Sequence, residues 1–73
     1  MENFAPIAPF GETLRRVMKE TGTTQYAIEK DLQVSGGSMH NWLTNKSQPS
    51  VESLVKLADY MEVSVDYLLG RIS

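Results

Sequence analysis

The chain has no cysteine and only one histidine, His40. The first absence excludes disulfide stapling and thiolate metal sites, and the second excludes a histidine cluster. No metal and no cofactor are expected. No run approaches the ~20 apolar residues of a membrane span. The first nine residues contain Glu2, Pro6 and Pro9 but no basic residue and no long apolar run, so they do not read as a secretory leader. The expectation is a cytoplasmic protein with no membrane partner. A basic excess is also missing: the 73 residues carry a formal charge of −2. That is unusual for a nucleic-acid binder, whose footprint is normally basic. Distribution softens the objection. Residues 1–49 balance Glu2, Glu12, Glu20, Glu29 and Asp31 against Arg15, Arg16, Lys19, Lys30 and Lys46. The acidic excess falls in the last third, where Glu52, Asp59, Glu62 and Asp66 face Lys56 and Arg71.

What is present is helical punctuation. Residues 1–9 read as an irregular arm, because Pro6 and Pro9 disfavour helix before them. Phe4 and Ile7 are expected to fold back onto the core. A first helix starts near Phe10 or Gly11, with Leu14, Val17 and Met18 as its apolar stripe, and stops at Gly22. Thr24 caps a second helix that buries Ile28 and Leu32. Val34 anchors a turn, and Ser35 caps a third helix reaching about Thr44, with Met39 and Trp42 turned inward. Asn45 suits a left-handed cap. Ser50 caps a fourth helix with Val51, Leu54, Val55, Leu57, Ala58 and Met61. Ser64 caps a short fifth helix with Val65, Leu68 and Leu69, ended by Gly70. No segment alternates as a strand does. The predicted fold is all-α, a compact bundle of about five short helices.

Two short helices joined by a turn of about three residues form a helix-turn-helix, here at residues 25–44. The second helix of such a unit fits a major groove ~12 Å wide, and the first braces it.

Thr24-Gln25, Ile28, Leu32, Val34-Ser35, Met39, Asn41-Trp42, Lys46, Pro49-Ser50 and the run Val63-Ser64-Val65-Asp66-Tyr67-Leu68-Leu69-Gly70 occur in order and at characteristic spacing. Together they resemble the phage-repressor-like, Cro/cI-type (XRE) family over residues 10–70. The resemblance implies a lambda-repressor-like domain at residues 10–70, flanked by the arm at 1–9 and a tail at 71–73. It implies a sequence-specific regulator of transcription, a repressor acting as a homodimer on double-stranded DNA. It also implies site residues. Gln25 would bond a phosphate. Gly36, Gly37 and Ser38 begin the recognition helix, and His40 and Asn41 face the groove one turn later. Asn45 and Lys46, with Ser47 and Gln48, lie where the family grips the DNA backbone.

Three departures stand out. Gly36-Gly37 replaces long polar readers by residues without side chains. Glu29 stands where alanine is usual, and Gln33 where glycine is usual. Met18 and Leu43 occupy positions that hold a buried ion pair in some phage repressors, and they are expected to touch. The dimer surface is expected on the last helix, through Val65, Tyr67, Leu68, Leu69 and Ile72. No catalytic set is legible, and so small a domain shelters no sizeable active site, so the chain reads as no enzyme and as having no small-molecule ligand of its own. The competing reading is a helix-turn-helix scaffold for protein contact, antirepressor or antitoxin-like, with weak DNA binding or none. The acidic balance and the paired glycines favour it.

Overall fold

The computed structural model describes residues 9–71, and within them the order is α1 (Phe10–Thr21), α2 (Gln25–Leu32), α3 (Gly36–Leu43), α4 (Val51–Met61) and α5 (Val65–Leu68). No strand occurs among the described residues. The expected folding-back of Phe4 and Ile7, and the place of Ile72, lie outside them.

Local chemistry explains where the helices begin. Thr24, Ser35, Ser50 and Ser64 are extended N-caps, each accepting the backbone N–H three residues on, from Ala27, Ser38, Ser53 and Tyr67. Each such cap stabilises a helix by ~1 kcal/mol, a useful amount for helices of one to three turns. Helix α1 ends on Gly22 at φ 69°, where Gly22 N–H donates to the Lys19 carbonyl and Thr23 N–H to that of Met18. Gln33, Asn45 and Glu62 take the same left-handed conformation at φ 56°, 64° and 60°. Non-glycine residues accept it at an energetic penalty.

The core draws on every helix: Phe10, Leu14 and Val17 from α1, Ile28 from α2, Met39, Trp42 and Leu43 from α3, Leu57, Ala58 and Met61 from α4, and Leu68 from α5. Helix α1 packs on α3, α4 and α5, and α2 packs on α3 and α4. Leu43 is buried, and Met18 is half-buried against the same core cluster. Val34 is half-buried against that cluster too.

Helix α4 departs from its sequence pattern. Leu57, Ala58 and Met61 are buried, but Val51 is 77% exposed and Val55 44% exposed. The apolar stripe runs on into the first two turns, where Val51 and Val55 are left uncovered by the described helices. Two tyrosines tie the helices across the surface. The Tyr60 hydroxyl of α4 donates to the Asp31 carboxylate of α2. The Tyr67 hydroxyl of α5 donates to Glu20 of α1 at 2.5 Å, with the Arg16 guanidinium 5.5 Å from its ring centre. Each carboxylate holds its phenol above the ordinary value of 10.0, through the hydrogen bond first, then desolvation and charge. At Tyr67 the Arg16 charge opposes the rise.

Candidate nucleic-acid interface

Helices α2 and α3 are joined by Gln33, Val34 and Ser35. The turn is closed from within: Gln33 and Val34 N–H groups both donate to the Glu29 carbonyl. Left-handed Gln33 reverses the chain, half-buried Val34 pins it, and Ser35 caps α3. The inner side of α3 is spent on the core through Met39, Trp42 and Leu43, while Gly36, Gly37 and His40 are exposed and Ser38 and Asn41 half-buried. One face of this eight-residue helix is thus left open and polar.

The expected site residues differ in how free they are. Gln25, exposed at the start of α2, donates from Nε2 to Glu29 Oε2 at 2.8 Å. Ser38 is drawn into capping: its backbone N–H donates to Ser35 Oγ, and its own oxygen accepts from the Ser35 hydroxyl at 3.0 Å. The His40 ring stays exposed while its carbonyl accepts from the Thr44 hydroxyl at 2.7 Å. The Asn41 carbonyl accepts from Lys46 N–H at 2.8 Å and Ser47 N–H at 3.3 Å. Those bonds fold the following loop onto the end of α3 and leave the Lys46 side chain exposed.

Asn45 has a structural duty that its place in the sequence does not announce. Its Oδ1 accepts from the Gly11 backbone N–H at 2.8 Å. Gly11 lies in the first turn of α1, whose cap residue Pro9 makes no side-chain bond, so Asn45 supplies the missing acceptor across the fold. Its Nδ2 amide makes no hydrogen bond among the described residues. Gly11 also fits too tightly for any other residue. A Cβ there would stand 2.3 Å from the Leu43 carbonyl oxygen and 2.9 Å from that of Trp42. The start of α1 is therefore seated on the end of α3.

Sequence reasoning passed over Gly11, and over Tyr26, which stands beside Gln25 and is 72% exposed. A signal for Tyr26 exists: it lies off the stripe of Ile28 and Leu32 that buries α2. Nothing in the sequence marks Gly11, because the clash it avoids comes from residues more than thirty positions away.

The last helix offers less to a dimer than expected. Leu68 is fully buried, and Val65, Tyr67 and Leu69 pack half-buried on the core.

Residues 14–68 match the family described as "Helix-turn-helix", which takes in α2 to α5 and most of α1. The chain belongs to the helix-turn-helix family. Its resemblance to the XRE type extends to individual relatives. One is the HTH-type transcriptional regulator ImmR of Bacillus subtilis, 30% identical over 61 residues, 84% of this chain and 48% of that protein. Another is the cryptic phage CTXphi transcriptional repressor RstR of Vibrio cholerae, 33% identical over 60 residues, 82% of this chain and 54% of that one. The helix-turn-helix chain spans about half the length of these curated relatives.

Proposed function

We propose that this helix-turn-helix chain is a sequence-specific DNA-binding regulator of transcription, a repressor that lays α3 in the major groove. The observation that carries the reading is the open polar face of α3, held on a helix whose other face is locked into the core. Rigid backing is what groove reading requires. Gln25 and the first N–H groups of α2 meet a phosphate, at the positive end of that helix's dipole. Lys46 and the Asn45 amide meet phosphates at the far end of α3. Phosphate contacts set the register, and Asn41 and His40 read base edges; Asn41 suits adenine N6 and N7. The regulator acts in the cytoplasm as a homodimer on a two-fold operator, with half-sites ~34 Å apart, one turn of the duplex. The names of the two relatives, a transcriptional regulator and a transcriptional repressor, support this reading.

The test is binding to mixed-sequence duplex against salt. Each neutralised phosphate contributes ~0.9 to the slope of log K against log salt, so about 3–5 contacts per protomer give a moderate slope. No binding at roughly 50 mM salt, where such contacts are strongest, sinks the reading.

One observation favours a second reading, a scaffold for protein contact. The start of α3 carries the Glu29 carboxylate and no side chain at Gly36 or Gly37, within a chain of net charge −2. That surface repels phosphate. The salt titration separates the two readings.

A further inference from the structure

Gly36 and Gly37 leave the start of α3 bare, yet the space over Gly36 is filled from another helix. A Cβ built on Gly36 would stand 3.6 Å from Oε2 and 3.7 Å from Oε1 of Glu29. The Glu29 carboxylate, from α2, thus lies in van der Waals reach of the point where a side chain of residue 36 would leave the backbone. Gln25 Nε2 holds it there at 2.8 Å.

An ionised carboxylate only accepts hydrogen bonds, and it has about four lone-pair positions, so one bond to Gln25 leaves most of its capacity. Base edges in the major groove differ in how they meet such a group. Guanine presents two acceptors and thymine one, which repel it. Adenine places an acceptor beside its amino group. Cytosine presents its N4 amino donor alone.

We propose that Glu29 is a specificity-determining residue, reading the cytosine amino group of one base pair in each half-site from the bracing helix, in place of the side chain Gly36 lacks. The proposal rests on the DNA-binding reading above and adds a base to it. Glu29 approaches the groove through the gap that the glycine leaves. The unusual residue in α2 and the unusual residue in α3 are therefore one device.

The experiment is selection of bound duplexes from a random pool with the wild-type chain, Glu29→Ala and Glu29→Gln. Folding of each is followed by circular dichroism. The wild type is expected to enrich cytosine at one position of the half-site. Glu29→Ala should lose that preference by about ten-fold, with the rest of the motif unchanged. Glu29→Gln keeps the size and the partner Gln25, and gains a donor beside its acceptor. It should shift the same position towards adenine. A purely structural role for Glu29 predicts no such switch. An unchanged motif in the variants overturns the proposal, as does a gain in affinity equal for all sequences, the mark of simple charge repulsion. If Glu29→Ala does not fold, the switch in Glu29→Gln alone decides. Failure of the wild type to enrich any sequence overturns the DNA-reading function itself, and this proposal with it.

Discussion

Replacing Gly11 by alanine sets two effects against each other. Alanine is the better helix former by ~1 kcal/mol, and Gly11 lies in the first turn of α1. Propensity alone thus predicts a more stable protein. The tertiary structure predicts the reverse. The added Cβ would meet the Leu43 carbonyl oxygen at 2.3 Å, the Leu43 carbonyl carbon at 2.8 Å and the Trp42 carbonyl oxygen at 2.9 Å. All three are backbone atoms, so no side chain can swing aside. Either α1 or the end of α3 must move, which as overpacking costs about 1–3 kcal/mol. The movement also stretches the Gly11 to Asn45 hydrogen bond of 2.8 Å, whose loss adds ~1 kcal/mol. The net loss is about 1–3 kcal/mol after the propensity gain. For a domain this small that lowers the melting temperature by roughly 5–20 °C. Gly37→Ala is the internal control. Gly37 is exposed and helical, and its added Cβ would meet only Ser35 Oγ, at 3.9 Å. Propensity acts there unopposed, and stability should rise by ~1 kcal/mol. Urea and thermal unfolding of the two variants provide the comparison. If Gly11→Ala is as stabilising as Gly37→Ala, the close seating of α1 on α3 is wrong.

Asn45→Ala and Lys46→Ala, neighbours in one loop, should separate. Asn45→Ala loses the bond to Gly11 and puts alanine at a φ of 64°, costing about 1–3 kcal/mol in urea unfolding. Lys46→Ala should leave unfolding unchanged, weaken all duplexes alike and lower the salt slope by ~1, as read in a binding titration. Asn41→Ala should cost ~1–3 kcal/mol against the preferred duplex only, as seen in competition binding. The tyrosine ties predict an alkaline effect. Their folded-state phenols titrate above the ordinary value of 10.0, so their contribution is full below that value and is lost as pH rises through the higher folded values. The double variant Tyr60→Phe with Tyr67→Phe should therefore lose less stability than the wild type on going from neutral pH to above pH 10, as followed by melting temperature.

The helix starts, the turn and the scaffold residues were legible because their determinants are local. A serine or threonine followed three residues later by its own N–H partner, or Met39 followed by Trp42, is a relation within one helical turn. Such relations survive any rearrangement of the rest of the chain. They made the five-helix order and the helix-turn-helix readable from residue types and spacing. Periodicity overreached only where covering elements end. Val51 and Val55 continue the stripe of α4 into solvent, because coverage is a property of neighbouring helices.

The sequence places the polar residues of the proposed interface on their helices, but it does not show which of them the fold already uses. Whether a polar group is left open or used by the fold depends on what stands opposite it in space. Asn45 Oδ1 is taken by Gly11, 34 residues earlier; Ser38 bonds Ser35; one Gln25 amide donor is taken by Glu29. The sequence by itself determined the helices, through caps and stripes that act within a turn, and its ordered motif residues carried the resemblance to the family. Only the tertiary structure decided that Gly11 must be glycine and that Glu29 covers Gly36, because both follow from helices brought together by a shared core.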